Sequence, residues 1–342
     1  MKGISIVICC YNSETRIEKT LEALQAQVVS SDLKWEILLV DNNSKDKTVE
    51  VSRTFWNRKN VTTFRVVEEP EPGQAYARRR GIKESAYDII SFIDDDNRVC
   101  NNWVSLVSEI FDAHPECAAC GGIGRAVFER EEPFWFKRYQ DNFAIGEQGN
   151  QTGYVDEKRG YLYGAGFSLR KESYDLLIAS NFPGIQTGRL SKIHRGGGED
   201  SELSFCLVIL GYKLWYDERL KFDHYMPQSR LTIEGLIELQ KGFGRDEVVL
   251  SIYRAHISSF YKPITSVYII YLKMFVRLIL YNFRNRNLKD PELLLYLSIH
   301  NKSTRAYLDE LLYYRKRFKG IKKKIDTFVS ENKNKALNIS PK

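Results

Sequence analysis

Three adjacent carboxylates, Asp94, Asp95 and Asp96, end the apolar run from Tyr87 to Ile93 and lead into Asn97. Neighbouring carboxylates repel one another, so the cluster is costly unless a cation or solvent relieves it. A hard divalent ion, Mn²⁺ or Mg²⁺, coordinates carboxylate oxygen well and keeps positions open for substrate phosphates. The chemistry in question is a metal–diphosphate site at the carboxyl end of a strand. The alternative is an acidic turn in which Asp96 or Asn97 caps the next helix. A second acidic pair, Glu199-Asp200, follows Gly196-Gly197-Gly198 at the start of a helical stretch. Acids there suit capping and the helix dipole.

The elements that must position these residues follow from periodicity. Lys2 to Cys10 is a β-type run with little polar interruption, as expected of a strand buried on both faces. Ser13 is placed to cap a helix from about Glu14 to Gln27, where Ile17, Leu21 and Leu24 recur at helical spacing. Further strands are expected at Trp35 to Val40, Val61 to Glu68 and in the run before Asp94, with helices at Thr48 to Asn57 and Gln74 to Ala86 between them. Strand and helix in alternation predict parallel βαβ units. Ligands bind such sheets outside the carboxyl ends of the strands. Tyr11, Asn12 and Glu14, then Asp41, then Asp94 to Asp96 converge there. No GxGxxG follows the first strand and no GxxxxGK[ST] occurs, which disfavours a dinucleotide site and a P-loop.

At 342 residues, 43% hydrophobic and 28% charged, the chain is long enough for a large core. Two parts are expected, a catalytic domain over 1–230 and a helical, basic extension over 231–342. The six cysteines lack a disulfide-framework spacing, and Cys117-Ala-Ala-Cys120 has no second pair, so a reducing, cytosolic setting is inferred. The N-terminus has no cleavage site of the signal-peptide kind. No apolar stretch reaches the roughly 18 residues of a membrane span. Residues 284–342 carry 15 Lys/Arg against 6 Asp/Glu, which leaves the rest of the chain at −2. The body is therefore no general polyanion binder, and nucleic acid is not an expected partner. Thr232 to Phe260 reads as helical with a break at Gly242 and Gly244. Val267 to Phe283 is very apolar but carries Lys273 and Arg277 on one helical face, as an amphipathic helix would. It can lie on a membrane, pack on the catalytic domain or form a dimer.

Ile4 to Glu14 (ISIVICCYNSE), Val40-Asp41-Asn42-Asn43-Ser44, Gly73 to Gly81 (GQAYARRRG) and Phe92 to Asp96 (FIDDD) together resemble the family 2 glycosyltransferases of bacterial type. The resemblance runs from Lys2 to about Pro227. It implies the GT-A fold: α/β, with a Rossmann-like, mostly parallel sheet flanked by helices. It also implies metal-dependent, inverting transfer from a nucleoside diphosphate sugar to an acceptor hydroxyl. Tyr11, Asn12 and Glu14 would line the nucleoside pocket, Asp41 would bind base or ribose, and Arg78 would approach the nucleotide. Arg79 stands where the family usually has Asn. Asp94 and Asp95 would face the donor, Asp96 the metal, and His224 would join Asp96 as a ligand. Gly164 and Ala165, within Tyr161 to Arg170, would lie beside the donor sugar. The pair Glu199-Asp200 would be catalytic, with Asp200 as general base. The acceptor implied is a glycan or lipid-linked glycan of a surface polysaccharide, met at the inner face of the cell membrane. Other readings are a metal-dependent nucleotidyltransferase, and a non-catalytic module that binds polyanions or an anionic membrane surface through the basic tail.

Overall fold

The computed structural model describes residues 1–186, 197–259, 267–333 and 335. Gly196 of the glycine run lies outside them. The chain begins β1 (Ile4–Cys10), α1 (Ile17–Gln25), β2 (Trp35–Asp41), α2 (Thr48–Trp56), β3 (Thr63–Glu68), α3 (Gln74–Glu84) and β4 (Ile89–Phe92). Ile4, Ile6 and Ile8 point to one side of β1 and Val7 to the other, and all four are fully buried. Covered faces of this kind favour parallel pairing: β1 pairs with β2 and β4, and β2 with β3. Their carboxyl ends open on one edge.

One expectation at this end fails. The first helix starts at Ile17, and its cap position is Arg16. Ser13 lies outside the helix, and its hydroxyl donates to Asp95 instead.

The sheet continues through β5 (Asn97–Val99), α4 (Trp103–Ala113), β6 (Cys117–Phe128), α5 (Phe136–Tyr139), β7 (Gly153–Tyr154), β8 (Ser168–Arg170), α6 (Lys171–Ala179), α7 (Glu199–Leu210) and β9 (Lys213–Met226). The strand order is β3-β2-β1-β4-β8-β6-β9-β5, with β7 also on β9. Parallel pairing carries the longest ladders, including β6 on β9, and short antiparallel pairings close the sheet. β8 is antiparallel to β4 and β6, and β9 is antiparallel to β5 and β7. β9 runs for 14 residues to Met226. Buried Asp217 is neutralised within the strand by Arg219 at 2.9 Å. The irregular stretch from Pro133 is anchored: Trp135, Phe136 and Phe143 are buried against Met226, Leu231 and Leu236.

The extension is α8 (Ile233–Ile257), α9 (Val267–Arg284), α10 (Pro291–Tyr313) and α11 (Phe318–Asn332). One apolar cluster joins Val7 and Phe205 of the sheet layer to Tyr253, Leu311 and Phe328. The expected break at Gly242 and Gly244 is absent. A Cβ at Gly244 would stand 2.3 Å from the Tyr307 carbonyl oxygen. That glycine lets α8 and α10 approach, and it does not interrupt the helix.

Two buried carboxylates tie α7 and α8 to the segments beside them. Glu202 accepts from the Ile185 and Gln186 amides at 3.0 and 2.7 Å and from the Tyr253 hydroxyl at 2.9 Å. Asp246 accepts from the Gly197 amide at 3.0 Å. Burial pushes both carboxyls up to about 7, against the pull of these donors. A native pKa above the unfolded one means that the native state keeps protons the unfolded chain has lost. The stability each contributes is full below the ordinary carboxylate range and is lost as pH rises through about 7. Urea denaturation at pH 5 and pH 8 should therefore give a stability loss that is smaller in Glu202→Gln than in the wild type, by up to roughly 1.4 kcal/mol per pH unit within that window. Identical losses in both proteins would remove Glu202 as the source.

Candidate active site

The loops after β1 and β2 are locked to one another. Asn12 and Asn43 take left-handed backbone, with φ of 50° and 64°, a conformation that asparagine tolerates better than most residues. The Asn12 carbonyl oxygen Oδ1 accepts from the Lys45 amide at 2.8 Å, and Glu14 Oε2 accepts from the Lys47 amide at 2.9 Å. The Ser13 amide donates to Thr48 Oγ1 at 2.7 Å. Asn12 and Glu14, expected in the nucleoside pocket, thus spend these acceptors on holding the adjacent loop. The physical reason is that two turns of polar residues, brought side by side by parallel pairing, satisfy each other first.

Each of the three adjacent aspartates meets a cation from a different part of the chain. Asp94 Oδ1 lies 4.0 Å from Arg78 Nη2, Asp95 Oδ2 lies 2.7 Å from Arg16 Nη2, and Asp96 Oδ2 lies 3.5 Å from Arg230 Nη1. Asp95 is only 8% exposed. With Ser13 and Arg16 on its carboxylate it faces the scaffold and not the donor side, which corrects the sequence expectation. Burial pushes its carboxyl up in spite of Arg16. Burial would raise Asp96 as well, but there His224 and Arg230 outweigh it and hold the carboxyl well below the usual carboxylate range.

Arg78 is the hub of the cleft. Its guanidinium bonds Asp200 Oδ1, lies 3.4 Å from Glu199 Oε1 and donates to the Gly164 carbonyl at 3.3 Å. The flat group also stacks over Phe92, 5.3 Å from the ring centroid. It therefore joins α3, the end of β4, the Gly164 segment and the start of α7. A Cβ at Gly164 would be 1.9 Å from Asp200 Oδ2, so the absence of a side chain is what admits Asp200. Ala165, expected beside the sugar, turns into the apolar cluster with Cys120, Leu220 and Phe222.

Antiparallel pairing of β5 with β9 sets Asn97 opposite His224 and so brings Asp96 to the imidazole. His224 Nε2 lies 3.4 Å from Asp96 Oδ1 and 3.1 Å from Arg230 Nη1. Asp96 Oδ1 and His224 Nδ1 are buried without a hydrogen-bond partner. Among the described residues no three His, Cys, Asp or Glu side chains gather to hold a metal by themselves. A carboxylate and an imidazole with orphaned atoms nevertheless fit a divalent ion whose other positions are filled by phosphate oxygens and water. Asp41 Oδ1, at the end of β2, is likewise buried and unpartnered, while Tyr11 stands exposed at the end of β1.

Tyr11, Asp41, Asp94, Asp96, Arg78, Gly164, Glu199, Asp200 and His224 belong to the sheet edge or to its hub. Arg16 and Arg230 were missed from sequence. Arg16 carries a usable signal, since it is the first cation after a strand-end loop facing three acids. Arg230 carries none, because its turn reaches Asp96 only through the long β9.

Replacing Arg78 by methionine removes the cation that, among the described residues, Asp94, Glu199 and Asp200 share, while keeping most of the side-chain volume. The expected loss is roughly 2–4 kcal/mol in chemical denaturation. Pairing it with Asp200→Asn should recover part of that loss, because one uncompensated charge goes too. Strict additivity would dismiss the hub.

Residues 5–177, just over half of the chain, match the family model described as Glycosyl transferase family 2. Glycosyltransferase AglE of Haloferax volcanii is 33% identical over 101 residues, covering 30% of this chain and 33% of the relative, so the chain spans about a third of that relative's length. Glucosyl-dolichyl phosphate glucuronosyltransferase of the same organism is 21% identical over 244 residues, covering 68% and 72%. Among solved structures, Staphylococcus aureus TarS 1–349 in complex with UDP-GlcNAc aligns over 97% of this chain and 90% of its own, at 15% identity and a TM-score of 0.52. The mannosyltransferase PcManGT from Pyrobaculum calidifontis, in complex with GDP-Man and Mn²⁺, aligns over 99% and 76%, at 15% identity and a TM-score of 0.51. Likeness at that identity speaks for the fold alone. The stretch that matches the family model is the one that builds β1 to α6, and the chain belongs to glycosyl transferase family 2.

Proposed function

We propose that this glycosyltransferase moves a sugar from a nucleoside diphosphate to an acceptor hydroxyl in a single inverting displacement, with Mn²⁺ or Mg²⁺ bound at Asp96 and His224. The observation that carries the reading is the pair of buried carboxylate oxygens without a hydrogen bond at the sheet edge, Asp41 Oδ1 and Asp96 Oδ1, the latter facing the His224 imidazole at 3.4 Å. Buried acceptors are rarely left unsatisfied, and those that are point to a ligand or ion that satisfies them. Asp41 is then the contact to base or ribose, with Tyr11 beside it and Asp94 towards the ribose. The ion supplies charge neutralisation for the departing diphosphate, and Arg230 adds a fixed positive charge at the same place.

On the acceptor side Asp200 is the general base. Arg78 holds it through Oδ1, leaving Oδ2, above Gly164, to take the hydroxyl proton. The shared guanidinium keeps this base at a set distance from Asp94 and the donor, which is the positioning that an in-line displacement requires. The names of the relatives support a nucleotide sugar as donor, and one of them supports a lipid-linked acceptor. The sugar is left open by both.

Calorimetric titration of UDP, GDP, CMP and dTDP, with Mn²⁺ and then with EDTA, tests the donor site. One nucleotide should bind tightly and only with metal. Asp96→Ala should abolish that dependence, and unchanged binding would end the metal role. Asp200→Asn should leave nucleotide binding intact and stop transfer; near-normal turnover would point to another base. Gly164→Ala, which displaces Asp200, should cost on the order of a hundredfold in kcat with little change in nucleotide affinity.

A further inference from the structure

Helix α9 is attached by one face only. Leu278 and Val267 are buried, Ile270, Tyr271 and Met274 pack on the main cluster, and Asn282 exchanges hydrogen bonds of 2.8 Å with Asn301 of α10. The opposite face carries Leu272, Phe275, Val276, Ile279, Leu280 and Phe283, all exposed; Leu272 and Phe283 are each 60% exposed. At helical periodicity these six side chains form one continuous stripe about three turns long. Lys273, Arg277 and Arg284 then fall in a row along one border of the stripe. From Val267 to Lys289 the chain has five basic residues and no Asp or Glu.

Scattered exposed apolar residues need no explanation, but a continuous stripe does. No helix among the described residues is long and apolar enough to cross a membrane. We propose that α9 lies in the plane of an anionic lipid bilayer, with Leu272, Ile279 and Phe283 among the acyl chains and Lys273, Arg277 and Arg284 at the level of the phosphates. An apolar face bordered by cations is the combination that binds such a surface. A second copy of the chain suits the stripe less well. A two-fold contact repeats the same patch, and this helix offers no carboxylate to neutralise the cationic border of its mate. The inference does not depend on the donor site. If both hold, the enzyme is held at a surface where lipid-linked acceptors are found.

The test is flotation of the full chain, without nucleotide, with phosphatidylcholine vesicles and with mixed phosphatidylcholine–phosphatidylglycerol vesicles, at low and high salt. The wild type should float with the anionic vesicles and less so at high salt. Leu272→Glu with Ile279→Glu should lower partitioning by about tenfold or more. Lys273→Glu with Arg277→Glu should remove the preference for anionic lipid, and thermal melts of both variants should match the wild type. A wild type that ignores vesicles, or variants that float as it does, would overturn the proposal. So would a wild-type dimer in light scattering that becomes monomeric in Leu272→Glu with Ile279→Glu while no vesicle binding is seen. Nucleotide titration of the same samples reads the donor site separately.

Discussion

Mutual repulsion among Asp94, Asp95 and Asp96 is the constraint around which the site is built. Three carboxylates on consecutive residues cannot be buried at a strand end unless positive charge is brought to them. The chain brings it from three places: Arg78 on α3, Arg16 before α1 and Arg230 after β9. Each arginine closes a different part of the fold onto the same strand end. Arg16 draws in the loop after β1, Arg78 draws in α7 with Glu199 and Asp200, and Arg230 draws in the far end of β9 with His224. The charge problem of one short segment thus specifies how the edge of the sheet is assembled.

The arrangement divides labour among adjacent letters. The middle aspartate is a scaffold group, locked to Ser13 and Arg16. The outer two remain turned to the cleft, one near the hub and one near His224. The three lie in the tight turn between β4 and β5, closed by the Asn97 amide donating to the Asp94 carbonyl at 3.0 Å, and the turn sends their side chains in different directions. Glycine makes the acceptor side possible in the same economical way. Gly164 has no Cβ, so the carboxylate of Asp200 can sit against the backbone, where Arg78 reaches it from the other side.

The basic tail has a different part from the one its charge suggests. Its helices belong to the core through Tyr253, Leu311 and Phe328, and α8 carries the carboxylate that holds Gly197. Within the extension, exposed apolar side chains gather on α9 and the first turn of α10, where Leu293, Leu294 and Leu295 are exposed. Burial of one side and exposure of the other distinguish a helix that docks from one that only packs.

From sequence alone the βαβ order, the strand-end convergence of Tyr11, Asp41 and Asp94 to Asp96, and the acidic start of α7 were legible. The family resemblance was legible from the same four segments. These features are local: apolar periodicity and turn residues act over a few positions. What sequence could not specify was which partner each polar side chain would choose. Asn12, Glu14 and Asp95 were read as ligand contacts, and in the fold they bind loops and an arginine, because neighbours 30 to 80 positions away in sequence arrive first. Ser13 and Gly244 were misread for the same reason, as cap and break. The antiparallel placement of β5, β7 and β8, the single long β9, Arg230 beside Asp96 and the uncovered face of α9 are products of long-range pairing and packing. Only the closed tertiary structure, where burial makes every unpaired charge expensive, decides among the arrangements that local pattern allows.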